Sequence, residues 1–179
     1  MKFENYQETL EIPQGVTAKY HGDELSVSGK NGEIKRLFLS PTVKVGVTGK
    51  EIVFSVPVMR KKEKMQLGTY VSHVKNMLAG VQKNYVYKLK ICSGHFPMNV
   101  AFTNGELIIK NFIGEKKPRI LKVPKNVSVV VAGEVITVEC NDVEFAGLIA
   151  GRIEKLASRS GYDKRVFQQG IYITEKPTR

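Results

Sequence analysis

The chain has 179 residues, of which 42% are hydrophobic, so it can bury the core of one ordinary domain or of two small ones. Lysine and arginine outnumber aspartate and glutamate by 28 to 17, and the net charge of +11 points to a polyanionic partner, either nucleic acid or an anionic membrane. No apolar run approaches the roughly 20 residues that cross a bilayer, and the N-terminal segment carries acids where a signal peptide is apolar, so we expect a cytoplasmic protein with reduced cysteines.

The first half of the chain predicts antiparallel strands followed by one helix. Asn31-Gly32 lies between two strand-like runs, and residues 43–54 (VKVGVTGKEIVF) form two alternating runs about a turn that contains glycine. Both patterns are typical of β-hairpins. Downstream, the spacing of apolar residues predicts an amphipathic helix whose buried stripe is Leu67, Val71, Val74, Leu78 and Val81.

The second half repeats this order. Residues 127–138 (VSVVVAGEVITV) align with 43–54, and Asn104-Gly105 again lies between strand-like runs. A second helical stripe is predicted at Phe145, Leu148, Ile149, Ile153 and Leu156. We therefore expect an α+β fold of two tandem duplicated units, residues 1–85 and 86–179, each a small antiparallel sheet covered by one helix. A basic C-terminal tail follows the second helix and has no counterpart in the first unit.

No catalytic or metal-binding pattern can be recognised in the sequence. His95 follows Cys92 by three residues, but a zinc site needs more ligands than one such pair. The stretch 46–50 is too short for a phosphate-binding loop and is more simply a hairpin turn. Carboxylates such as Glu115 stand among lysines and arginines, which favours ion pairs over catalytic groups. We expect neither an enzyme nor a bound cofactor or metal.

Positive charge is spread over both halves of the chain but is bunched locally, and we expect RNA to bind at the clusters of the second half. The run 114–119 (GEKKPR) lies between strand patterns and so predicts an exposed, cationic loop. In the tail, aromatic residues alternate with cations; aromatic and guanidinium planes stack on unpaired bases, while cations bind phosphates. The candidate RNA-binding residues, including three cations of the second helix and its end, are Lys110, Lys116, Lys117, Arg119, Arg152, Lys155, Arg159, Lys164, Arg165, Phe167, Gly170, Tyr172 and Lys176.

Three segments carry a family resemblance that extends over nearly the whole chain. Residues 93–119 (SGHFPMNVAFTNGELIIKNFIGEKKPR), 165–176 (RVFQQGIYITEK) and 72–81 (SHVKNMLAGV) resemble segments of archaeal and eukaryotic members of the L6 family of large-subunit ribosomal proteins. The chain departs from the family at Gln169, where aspartate is usual, and at Lys155, where glutamine is common.

The resemblance implies two related α/β domains and a structural role in the large ribosomal subunit. It implies binding to large-subunit ribosomal RNA near the sarcin–ricin region and the stalk base, mainly by the second domain and its tail. Neighbouring ribosomal proteins are implied as partners, and translation factors dock nearby.

Simpler readings and rival functions remain open beside these expectations. A run of charge is usually a solvated face, and for the cluster at residues 60–64, before the first helix, solvation and RNA contact are equally supported. Phe167 can equally be an anchor that pins the tail to the second unit. An RNA-processing enzyme would need a metal site or an acid–base pair. A free-standing regulatory RNA-binding protein would form a pool outside ribosomes.

Overall fold

The computed structural model describes residues 3–94, 96–163 and 165–177, and the chain divides into two compact units, Met1–Asn84 and Tyr85–Arg179. In the described part of the chain, every strand pairing is antiparallel, and each unit contains one α-helix. The predicted α+β fold class is confirmed.

The first unit consists of two three-stranded sheets and a long helix. Its elements are β1 (Phe3–Glu11), β2 (Thr17–His21), β3 (Glu24–Gly29), β4 (Gly32–Leu37), β5 (Lys44–Thr48), β6 (Glu51–Met59) and α1 (Lys61–Gln82). The sheets have the strand orders β1-β6-β5 and β2-β3-β4.

Helix α1 packs its predicted apolar stripe into the core of the first unit. All five predicted positions, from Leu67 to Val81, are buried together with β6 residues such as Phe54. The helix also approaches β3 closely: a Cβ on Gly29 would lie 3.0 Å from both the Cβ and the carbonyl oxygen of Val81. A side chain at that position would force the helix away from the sheet.

The second unit repeats this order and adds one strand. Its elements are β7 (Tyr85–Cys92), β8 (Asn99–Thr103), β9 (Glu106–Lys110), a 3-10 turn (Phe112–Gly114), β10 (Arg119–Lys122), β11 (Ser128–Ala132), β12 (Val135–Cys140), α2 (Val143–Leu156) and β13 (Gly170–Glu175). The sheets have the strand orders β10-β9-β8 and β11-β12-β7-β13.

The predicted hairpins at 43–54 and 127–138 are confirmed as β5–β6 and β11–β12, which occupy equivalent places in the two units. The two Asn-Gly pairs are not equivalent. Asn104 and Gly105 form a two-residue turn between β8 and β9, with the positive φ angles (52° and 78°) that a type I′ turn requires. In the first unit, the turn between β3 and β4 consists instead of Lys30 and Asn31, and Gly32, which has a positive φ, is already the first residue of β4.

Helix α2 buries a different stripe from the predicted one. Ile149 and Ile153 are buried as expected, but Phe145 and Leu148 are 44% and 47% exposed. The sheet-facing positions are taken instead by Ala146 and Ala150, whose small side chains permit close packing of helix on sheet. The helix begins after Asp142, whose carboxylate accepts a hydrogen bond from the Glu144 amide at 2.8 Å.

Part of the predicted C-terminal tail is a strand of the sheet. β13 pairs with β7, with Ile171 opposite Ile91, and Ile171 is buried in the core of the second unit. The segment 157–169, between α2 and β13, is therefore fixed at both ends to regular structure.

Candidate nucleic-acid interface

The cationic loop between β9 and β10 has an unusual backbone. Asn111, Ile113 and Gly114 have φ angles of 59°, 49° and 73°, all in the left-handed region. That conformation suits glycine and is tolerated by asparagine, but it is unfavourable for β-branched isoleucine. The side-chain amide of Asn111 donates to the Pro97 carbonyl at 3.0 Å, which fixes the start of the loop. The strain at Ile113 requires further contacts to hold the loop.

Arg119 supplies those contacts. Its guanidinium forms a two-bonded ion pair with Glu115, with Nε–Oε2 and Nη2–Oε1 distances of 2.8 and 2.7 Å. Nη1 donates to the carbonyl oxygens of Leu156 and Ser158, at the end of α2, and the guanidinium carbon lies 4.2 Å from the centre of the buried Phe112 ring. Four of the five N–H donors of the side chain are thus engaged within the unit.

Glu115 is shared between two arginines. Arg159 Nη1 lies 3.3 Å from Glu115 Oε1, and its guanidinium carbon lies 5.1 Å from the centre of the Tyr162 ring. The hydrogen bond from Arg119 and the positive charges of both arginines hold the pKa of Glu115 below its ordinary value, against the opposing effect of burial. Glu115 therefore stays ionised at neutral pH and ties the loop to the segment after α2.

Lys116 and Lys117 are exposed on this clamped loop. Among the described residues, neither lysine has an ion-pair partner, in contrast to Arg119 beside them. The predicted exposed loop is therefore present, but Arg119 serves mainly to hold it together. The loop and the end of α2, two separate regions of predicted RNA contact, are brought side by side.

A cavity of about 310 Å³ opens where α2 ends and the segment toward β13 begins. Four of the predicted RNA-binding residues line it: Lys155, Arg159, Phe167 and Tyr172. Sequence reasoning did not select Tyr162 or Gln169 as binding residues, although both line the cavity as well. Tyr162 could have been found from its position in a turn-rich stretch beside basic residues; the burial of Gln169 had no signal in the local sequence.

Gly170, one of the candidate RNA-binding residues, has a packing role in the second unit. The residue is buried, and a Cβ built on it would lie 3.0 Å from the Tyr172 hydroxyl oxygen and 3.1 Å from the Ala157 carbonyl oxygen. The missing side chain lets the Tyr172 phenol fold back over the strand and form one wall of the cavity.

The remaining candidates are dispersed over the second unit. Arg152 is exposed on α2, and Lys110 and Lys176 are exposed at the end of β9 and just after β13. Arg165 is exposed and pairs with Asp163 at 3.1 Å, and this bond lowers the pKa of Asp163. Lys164 and His95 lie outside the described residues.

The family model for ribosomal protein L6 matches residues 12–84. Relatives named large ribosomal subunit protein uL6 match both units. The protein of Methanosarcina mazei is 39% identical over 168 residues, which cover 94% of this chain and 96% of the relative. The protein of Natronomonas pharaonis is 40% identical over 170 residues (95% and 96%), and that of Sulfurisphaera tokodaii is 38% identical over 177 residues (98% and 95%).

These matches confirm the resemblance seen in the sequence, including its archaeal branch. Identity near 40% over almost the full length of several relatives leaves the family in no doubt: the chain belongs to the L6 family of large-subunit ribosomal proteins.

Proposed function

We propose that the second unit binds large-subunit ribosomal RNA through the clamped loop and the adjoining end of α2. Family membership makes the chain a structural constituent of the large subunit in the cytoplasmic ribosome and not an enzyme. The proposal goes further and assigns the RNA-binding surface, which consists of Lys116, Lys117, Lys155, Arg159 and the cavity between α2 and β13.

The observation that carries this proposal is the rigid presentation of exposed cations. Lys116 and Lys117 stand on a loop that Glu115 and Arg119 fasten to the carbonyls at the end of α2. Lys155 and Arg159 lie at that same helix end, beside the cavity. Cations held at fixed spacing bind phosphates with less loss of side-chain and loop entropy than cations on a mobile loop.

The mechanism that follows is assembly and scaffolding. Cations neutralise phosphates that otherwise repel one another, and their displacement of counterions makes the affinity fall with salt. Recognition rests mainly on the shape of the folded RNA. The resemblance of the segments 93–119 and 165–176 supports a site near the sarcin–ricin region and the stalk base, close to where translation factors act.

The test is the salt dependence of binding to large-subunit ribosomal RNA transcribed in vitro. Replacing Lys116 and Lys117 with alanine should weaken binding and reduce the log–log salt slope by about 1 to 2, since each lost phosphate contact removes about 0.7 to 0.9. The matched control replaces the exposed Lys30 and Lys50 of the first unit, which removes the same net charge and should leave the slope nearly unchanged. Equal slopes for the two double variants would refute the assignment of the loop.

Chemical footprinting of the same complex tests the location on the RNA. Protection in the sarcin–ricin region and the stalk base is the expected result, and protection confined to other regions would overturn it. Gradient sedimentation of a lysate through a high-salt wash tests the rival regulatory function. A free-standing regulator would leave the large subunit, whereas a structural constituent should stay with it.

A further inference from the structure

Phe96 is held at its backbone from two sides, although its ring stands partly in solvent. The residue is 38% exposed and belongs to neither of the two cores that the described residues form, whereas Met98 nearby packs against the core of the second unit. The Phe96 carbonyl accepts a hydrogen bond from Gln169 Nε2 at 2.8 Å, and the Pro97 carbonyl accepts one from Asn111 Nδ2 at 3.0 Å. The backbone below the ring is therefore tied both to the start of β13 and to the start of the cationic loop.

One of these two ties comes from a buried side chain. Gln169 is 6% exposed, and burial of a side-chain amide costs free energy unless its polar atoms form hydrogen bonds. Its amide nitrogen donates to the carbonyl of an exposed residue that is distant in sequence. Packing alone does not account for this arrangement, because the ring that is held in place adds little to the core.

The Phe96 ring lies against the clamped loop. A Cβ on Gly114 would lie 3.7 Å from Phe96 Cε1, which is an ordinary van der Waals contact. Lys116 and Lys117 follow Gly114 by two and three residues, so their Cα atoms lie within about 8 and 12 Å of the Gly114 Cα. Both lysines are exposed and, in the described part of the chain, have no ion-pair partner. An exposed aromatic ring and two available cations therefore occur at the same loop.

We infer that Phe96 is a stacking platform for an unpaired base of the ribosomal RNA, and that Gln169 is its positioning residue. An aromatic ring stacks on the face of any base, while the lysines of the adjoining loop bind phosphates of the same RNA segment. A ring whose backbone is already fixed loses less freedom on binding than one on a mobile segment. Phenylalanine has no side-chain donor or acceptor, so it selects a base that is unpaired and not one of the four bases. This role rests on the proposed function, since it names the part of the RNA that meets the clamped loop.

Replacement of Phe96 by leucine in the full chain tests this role, with the affinity for large-subunit ribosomal RNA measured over a range of salt concentrations. Leucine keeps an apolar contact with Gly114 but has no ring, so the affinity should fall about tenfold. The salt slope should stay the same, because no phosphate contact is lost. Phe96→Tyr keeps a ring and should bind like the wild type. Phe145 is 44% exposed near the start of α2, and Phe145→Leu is the matched control, which should leave the affinity unchanged.

Wild-type affinity in Phe96→Leu would refute the stacking platform, and so would equal losses in Phe96→Leu and Phe96→Tyr. Ultraviolet crosslinking of the wild-type chain to the RNA keeps the test valid if leucine disturbs the fold. The expected result is an RNA adduct on Phe96, and adducts confined to other residues would contradict the inference. If Phe96→Leu binds normally while the double variant of Lys116 and Lys117 does not, only the platform fails. If the wild-type chain does not bind the RNA, the proposed function fails with it.

Gln169→Met tests the positioning role. Methionine keeps the length of the side chain but cannot donate to the Phe96 carbonyl, so RNA binding should weaken about threefold at an unchanged salt slope. In the double variant with Phe96→Leu, the loss should be no larger than in Phe96→Leu alone, because a residue that acts through the ring has no effect once the ring is gone. Additive losses, or wild-type affinity in Gln169→Met, would show that Gln169 does not position Phe96.

Discussion

Replacement of Arg119 by alanine should destabilise the second unit and leave the first unchanged. The side chain is 21% exposed and makes a two-bonded ion pair with Glu115, two bonds to carbonyl oxygens and a ring contact with Phe112. Hydrogen bonds to a charged group contribute about 1.5–3 kcal/mol, and a partly desolvated cation–π contact contributes about 0.5–2 kcal/mol. These terms are not additive, and the expected loss is about 3 kcal/mol in the free energy of unfolding of the second unit.

Native-state hydrogen exchange measures this loss in each unit separately. Amides of the buried strand β12, such as those of Ile136 and Val138, report on the second unit, and those of β6, such as Val56, report on the first. A loss of 3 kcal/mol should speed exchange of the most protected β12 amides by about 150-fold while the β6 amides keep their rates.

Arg119→Lys is the matched control for charge. Lysine keeps the positive charge but lacks the planar fork that binds Glu115 and the carbonyls together, so it should recover less than half of the loss. If Arg119→Ala speeds β12 exchange by less than fivefold, or if lysine fully replaces arginine, the clamp does not hold the loop. Arg119 would then return to the set of direct RNA contacts.

Three further predictions follow from the described contacts. The pKa of Glu115 is lowered in the folded protein, so the ionised carboxylate should stabilise the second unit fully above pH 4.5, and this stabilisation should be lost as the pH falls through the folded pKa. In urea titrations, Glu115→Gln should therefore have a lower free energy of unfolding than the wild type at pH 7, and the difference should shrink toward pH 3. Gly29→Ala should lower the free energy of unfolding of the first unit, measured in urea, by about 1–3 kcal/mol, because the new Cβ would clash with Val81 of α1. Gly46→Ala is the control and should leave this free energy nearly unchanged, because no atom lies within 4 Å of its new Cβ. Burial raises the pKa of the Cys140 thiol, so iodoacetamide should modify the partly exposed Cys92 first, and equal rates would contradict this.

The periodicity of apolar residues was sufficient to predict those elements whose pattern lies within one short segment of the chain. The stripe of α1 and the two hairpins around Gly49 and Gly133 follow directly from residue spacing, since each pattern lies within a single element or turn. The stripe of α2 was partly wrong because Ala146 and Ala150 score weakly as apolar residues, yet pack closely on the sheet. The larger Phe145 and Leu148 mislead a pattern based on hydrophobicity.

The candidate site was less predictable because its contacts join distant parts of the chain. The basic loop could be located, but the use of Arg119 depends on carbonyls at Leu156 and Ser158, which only the folded chain brings near. The hydrogen bond that the Gln169 amide donates likewise depends on the Phe96 carbonyl, far away in sequence. Residue type indicates that a cation or an amide can bind RNA, but not whether the fold has already used its donors.

Strand β7 of the second unit has a consequence for how this protein avoids aggregation while it folds. It is the first strand of that unit in the chain, yet it lies inside its sheet, between β12 and β13. Until both partners form, its two edges are open to pairing with other chains. Its exposed Lys88 and Lys90 alternate along the strand with the buried Leu89 and Ile91. Cations at these positions repel a second copy of the strand, so the same two lysines, of which Lys88 pairs with Glu175 at 2.8 Å in the folded unit, protect the unfinished unit from pairing with other chains.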